Sequence, residues 1–232
     1  MASINKTARL AGILYLLMAP LGIFGILYVP STLFVPGDMA ATASNILENQ
    51  LLFRLSIVSA IVVQLVNIWV AILLYKLLKP VNQTHASMMV IFLLLGVPIA
   101  YLNELTYFAV LLLVNGGGPL ASFTTDQALA HMSLFLDLHK HGIMIAQVFW
   151  GLWLFPMGYL IFRSGYLPRI LGILLMIGCF GYVIDSFIFF VYPDFGVTFS
   201  EFTFLGEILM PLWLVIKGVN VERWEQRALE SA

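Results

Sequence analysis

Six apolar stretches of membrane-crossing length constrain this chain more than any other feature: 10–29, 55–75, 88–114, 142–162, 170–192 and 202–216. A helix rising 1.5 Å per residue needs about 20 apolar residues to cross about 30 Å of hydrocarbon. Five of the stretches meet that length, and the last is short unless the turn around Glu207 extends it. Charge supports the same class. Only 10% of the residues are charged, against about 25% in soluble domains, and mean hydropathy is +0.99. The expected fold is all-α: one domain, 1–232, forming a polytopic membrane bundle of six transmembrane helices with two short outer-face helices. Lys6 and Arg9 precede the first run. That run exceeds a signal-peptide core and lacks a small-residue cleavage site, so it reads as an uncleaved first span.

Loop charges orient the bundle. With the N-terminus inside, Lys6, Arg9, Lys76, Lys79, Arg163, Arg169, Lys217, Arg223 and Arg227 fall on the cytoplasmic side, and only Arg54 and Lys140 outside. Nine against two is a strong positive-inside bias, which predicts cytoplasmic termini. The net charge of −1 gives no footing for nucleic acid. The single cysteine, Cys179, precludes an intrachain disulfide and a cysteine-built zinc site. No cofactor is implied.

The connections differ in elaboration. Pro30 to Asp38 is proline-rich, and Asp38 is placed to cap a short helix over 39–49. After the break at 116–119, a second short helix is predicted over 126–136. Thr198-x-x-Glu201 has the form of a capping box opening the sixth span. The turns at Lys79-Pro80 and Ser164-Gly165 are tight. A faint echo, Arg9-Leu-Ala-Gly12-Ile-Leu against Arg169-Ile-Leu-Gly172-Ile-Leu, fits either duplication of a two-span hairpin or the ordinary placement of arginine at an inner boundary.

Three acids interrupt the apolar runs: Glu104, Asp185 and Glu207. Each would cost roughly 2.5–3.5 kcal/mol if it faced mid-bilayer lipid, so all three are expected to point into the bundle. They sit at similar depth, which suits one outward-opening polar pocket. Asn103, Gln64, Asn67 and Gln147 could complete its hydrogen bonds, or simply lock helix packing. In Asp137-Leu-His139-Lys140-His141, the two histidines point about 200° apart on a helix, whereas Asp137 and His141 share a face. That face could shuttle a proton or, with a pocket acid, hold a metal; an interfacial ion pair or cap is the simpler reading. Arg54 could pair with a pocket carboxylate, receive an anionic ligand or snorkel to headgroups. The glycines at 116–118 are not followed by the GK[ST] of a phosphate-binding loop.

Several stretches together resemble one family: Leu27-Tyr-Val-Pro-Ser31 with Val35-Pro-Gly-Asp38, Leu52-Phe-Arg54, Leu74-Tyr-Lys-Leu-Leu-Lys-Pro-Val81 and Leu102-Asn-Glu-Leu105. His139-Lys-His-Gly142, Gln147-Val-Phe-Trp-Gly-Leu-Trp153, Arg163 to Gly172, Gly206-Glu207 and Trp213 to Gly218 continue the pattern. Over nearly its whole length the chain is similar to bacterial integral membrane proteins of domain-of-unknown-function family 4386. The resemblance implies a six-span inner-membrane protein and assigns no catalytic residue. Three functions therefore stand open. Buried carboxylates in an outward pocket suggest binding or transport of a small molecule or ion, with the bilayer as partner and a homo-oligomer expected because six spans are few for a carrier. An enzyme acting on a lipid-like substrate would use the acids and His141 in acid–base roles. An accessory or sensory protein would keep the acids for structure.

Overall fold

The structure, a computed structural model describing residues 2–231, is helical, with no strand among those residues. α1 (Ala2–Ile23) passes through a π-helical turn (Phe24–Tyr28) into α2 (Val29–Leu33). Pro30 cannot donate to the carbonyl four residues back, and the wide turn just before it accommodates that loss. α3 (Met39–Glu48) begins where expected: Asp38 accepts from the Ala41 amide at 2.8 Å. Then come α4 (Gln50–Leu78), α5 (Gln83–Asn115), a 3₁₀ turn (Gly118–Ser122), α6 (Thr125–Leu152), α7 (Leu154–Ser164), α8 (Arg169–Val191), α9 (Ser200–Thr203), α10 (Leu205–Ile216) and α11 (Val221–Glu230).

Five helical segments are long and apolar enough to cross a membrane: Ile4–Leu33, Gln50–Leu78, Gln83–Asn115, Thr125–Ser164 and Arg169–Val191. A sixth results if Ser200–Ile216 is counted with Val221–Glu230, to which it is bent by 104°. Exposed apolar side chains run down α4 as Leu51, Leu55, Val58, Leu65, Trp69 and Ile72. In water such a stripe would be an aggregation surface, whereas lipid covers it at no cost. The chain is a multi-pass membrane protein by helix length and composition.

Two expectations are corrected. The separate helix over 126–136 does not form; those residues open the 40-residue segment Thr125–Ser164. No proline or glycine lies between Leu136 and Gly142, so nothing stops the helix. The capping box at Thr198 is not used either. Phe199, not Thr198, precedes α9, and its side chain makes no cap. The amides of Phe199 and Ser200 donate instead to Asp185 on α8, at 2.6 and 2.8 Å.

The chain forms two compact units, 1–18 with 65–97 and 144–232, and 19–64 with 98–143. The first unit buries Ala8, Ala11, Leu74, Leu93, Met157, Leu160 and Leu214. Glycines bring its helices close. A Cβ at Gly158 or Gly172 would collide with the other's carbonyl, and one at Gly206 would meet the backbone of residues 174 and 175; small residues at membrane helix crossings permit this approach. One end of this unit is tied by polar contacts. Tyr166 and Trp224 both donate to the Leu77 carbonyl, Arg223 to the Gly165 carbonyl, and the Val219 amide to Asn5. Burial pushes the Tyr166 phenol up from its ordinary pKa, so it stays a hydrogen donor. The second unit packs Val29, Leu33, Ile46, Phe53, Tyr107, Val110, Leu111 and Met132.

Candidate functional site

The second unit holds a buried polar cluster on α5 and α6. Asn103 comes first, because it fixes the crossing. Its side chain occupies the space where a Cβ on residue 142 would stand, and Gly142 is what makes room. Asn103 Nδ2 donates to the His139 carbonyl at 2.9 Å. His139 is 5% exposed, and its Nδ1 lies 3.1 Å from Thr106 Oγ1 and 3.3 Å from the Asn103 carbonyl. Thr106 donates its own hydrogen to that carbonyl at 2.7 Å, so its oxygen is left to accept. Asn103 Nδ2, a donor, also stands 3.3 Å from Nδ1, so the polar groups around that nitrogen serve either tautomer of the ring. Nε2 faces Glu104 Oε1 at 4.0 Å. This exceeds hydrogen-bond length, so a proton passing between them needs a turn of the Glu104 side chain or a bridging hydroxyl.

An aromatic shelf holds the imidazole. Tyr107 stacks on it with centroids 3.4 Å apart, Phe53 packs on Tyr107 at 4.9 Å, and Phe34 meets Tyr107 edge-on at 6.1 Å. A cavity of about 480 Å³ lies in the same unit, lined by Ala43, Leu47, Leu113, Phe123, Thr125 and Met132 among others. On α6, Met132 is seven residues from His139, about 10 Å along the helix.

The other two acids belong to the first unit. Glu207 on α10 accepts from the Tyr15 hydroxyl at 2.9 Å through Oε2. Tyr15 stacks on Trp153 with centroids 5.9 Å apart, and Tyr182 stands close to both Glu207 and Asp185. Oε1 of Glu207 is buried, with no well-formed hydrogen bond among the described residues. Asp185 is occupied by the two amides that it caps. Glu104 thus has His139 as its local partner, Glu207 has Tyr15, and Asp185 has the start of α9, with Tyr182 beside both Glu207 and Asp185.

The remaining candidates are placed as follows. Gln147 donates to the Tyr182 carbonyl at 3.3 Å. The amide oxygens of Gln64 and Asn67 are buried without a hydrogen-bond partner among the described residues. Arg54 and Asp137 are exposed. Asp137 and His141 do share a face, but the ring of His141 reaches the Asp137 backbone carbonyl, at 2.7 Å. Among the described residues, no three of His, Cys, Asp and Glu group as metal ligands.

Residues 10–218 match the family described as Domain of unknown function (DUF4386). The chain belongs to the DUF4386 family. It is also similar to an uncharacterized protein of Archaeoglobus fulgidus, 32% identical over 164 residues that cover 70% of this chain and 83% of the relative. No solved structure matches. This DUF4386 chain therefore takes no activity from its relatives, and its chemistry is read from its own residues. Sequence reading favoured His141 and passed over His139, Thr106, Tyr107, Tyr15 and Tyr182. For His139 a signal existed: Met132, His139 and Ala146, spaced by seven, are all buried and mark one helix face. The tyrosines carry no such mark among so many aromatic residues.

Proposed function

We propose that this protein binds and carries a small molecule or ion in the membrane, exchanging it against the proton of the Glu104–His139 pair. The observation that carries this reading is His139 Nε2, buried and turned to the Glu104 carboxyl with Nδ1 committed elsewhere. One proton makes the pair neutral, on either member, and low dielectric favours that state. A cationic solute joining Glu104 restores neutrality only if the proton leaves. Such exchange needs no net charge movement through the pair. Residues of this kind inside membrane segments mark ion and proton paths by default. The cavity near Met132 is a fitting entry vestibule for solute. The reading further places six spans in a cytoplasmic membrane, both termini inside, with copies of the chain assembling to line a path.

Liposomes loaded with a pH-sensitive dye test it. Alkali cations and small amines, added one at a time, should include at least one that drives proton movement. Glu104→Gln and His139→Gln should abolish the response, and Glu48→Gln, on the exposed end of α3, should keep it. Proton movement surviving in Glu104→Gln, or absent for every solute, would end the proposal.

A further inference from the structure

The tied end of the first unit also gathers most of the chain's positive charge, and we infer that it is a docking surface for anionic phospholipid headgroups. Of the eleven lysines and arginines, only Arg54 and Lys140 belong to the other unit. The hydrogen bonds already described bring the rest together. Asn5, beside Lys6 and one turn from Arg9, holds Val219, which follows Lys217. Leu77, between Lys76 and Lys79, holds Tyr166, which lies between Arg163 and Arg169. Counter-charge is scarce there. The nearby carboxyl side chains, Glu222, Glu225 and Glu230, are all on α11, and Glu230 is paired with Arg227 at 3.0 Å. Arg9, Lys76, Arg169 and Lys217 are exposed and make no ion pair among the described residues.

Charge alone would suit any anion, and the apolar residue behind each charge selects a lipid. Ile13 stands one helical turn from Arg9, Ile72 from Lys76, Ile173 from Arg169 and Trp213 from Lys217. All four apolar side chains are exposed. Residues four apart share a helix face, and each of these steps leads away from the tied end by about 6 Å. Four helices or their ends thus present the same pair, with charge at headgroup height and apolar surface at the height of the acyl chains. Ammonium and guanidinium groups bond phosphate oxygens, and an anionic membrane surface attracts such residues. Arg169 also lies over the Phe162 ring at 5.7 Å, a contact with the ring face that leaves its N–H donors for phosphate. The charge bias that orients insertion is met by basic residues anywhere in the short loops; it does not require these pairs. The surface lies wholly in the first unit, so this inference is independent of the Glu104–His139 reading.

The test places the full-length protein in vesicles of brominated phosphatidylcholine and titrates in unbrominated phosphatidylglycerol. The quenching that disappears in Trp213→Phe reports the lipid beside Lys217. Phosphatidylglycerol should relieve it with about fivefold preference over phosphatidylcholine, the gain expected of one lysine at an anionic surface, and molar salt should weaken that preference. Lys217→Gln should remove the preference and Lys217→Arg should keep it. Arg54→Gln and Glu104→Gln, both in the other unit, should leave it unchanged. No preference in the unaltered protein overturns the inference, as does full preference in Lys217→Gln or its loss in Arg54→Gln. A second arm separates lipid from soluble phosphate. In detergent, phosphatidylglycerol should raise the melting temperature and glycerol 3-phosphate at equal concentration should not; equal stabilisation by both would overturn the lipid reading. Arg9→Gln, Lys76→Gln and Arg169→Gln combined should lose most of the lipid's stabilisation, and its full retention rejects the surface. Should the combined variant fail to fold, the three single variants decide, and undiminished stabilisation in all three rejects it.

Discussion

At the scale of single residues, the Asn103–Gly142 contact is the point on which the polar cluster depends. Gly142→Ala puts a methyl group where Asn103 Oδ1 now lies, and overpacking of this kind costs about 1–3 kcal/mol. Asn103→Ala strips the donor from the His139 carbonyl and is expected to cost about 1–3 kcal/mol as well. The two losses should not add, because alanine at 103 vacates the space that alanine at 142 needs. Melting temperatures of the four proteins of this cycle check it, and strict additivity would show that the contact is not sterically coupled. The cluster also shows what a sequence does and does not reveal about a site. Glu104 is legible because a carboxyl amid leucines is conspicuous, whatever its neighbours. The preference for His139 over His141 is decided by Asn103 on another helix, 36 positions away, and by the absence of a side chain at Gly142.

At the scale of helices, local chemistry predicted well where the interacting groups are near in sequence. Asp38 caps α3 as read, since acceptor and amide are three residues apart. Asp38→Ala should cost about 0.5–2 kcal/mol and speed amide exchange across α3, whereas exchange confined to its first turn would limit the role of Asp38 to fraying. The start of α9 was misread because its cap arrives from α8, 14 positions upstream. That cap gives Asp185 a structural contact. Asp185→Ala should cost about 3–6 kcal/mol, since two charge-assisted hydrogen bonds of about 1.5–3 kcal/mol each disappear. Asp185→Asn keeps one oxygen acceptor and should lose less. Equal melting temperatures for all three proteins would show that the cap adds nothing to stability. The echoed Arg-x-x-Gly openings also gain a local account. Gly12 admits the backbone of Pro211, and Gly172 admits that of Gly158, so each glycine answers to a different crossing.

At the scale of the whole molecule, the outstanding quantity is the number of crossings, and the polar ties of the first unit bear on it. Asn5 accepts from Val219, Leu77 accepts from Tyr166 and Trp224, and Arg223 donates to Gly165. Residues 5, 77, 165 and 219 therefore share one end of that unit. Contacts a few ångströms long cannot bridge a bilayer of about 30 Å, so the chain must cross an even number of times between each successive pair. The proposed six-span reading puts two crossings in each interval, with Ser200–Ile216 as the last despite its brevity. On that proposal the bend of 104° after it turns α11 along the membrane surface, held there by Trp224 and Arg223 through the Leu77 and Gly165 carbonyls. A five-crossing chain would instead carry Lys217, Arg223 and Arg227 to the outer side, against the charge bias. The check is single-cysteine labelling in a Cys179→Ser background, using intact cells and a membrane-impermeant maleimide. Cysteines at Asn82 and Ser231 should be protected until the cells are opened, and one at Gly117 should react at once. Immediate labelling at Ser231 with protection at Asn82 would establish five crossings and break the shared end that these hydrogen bonds define.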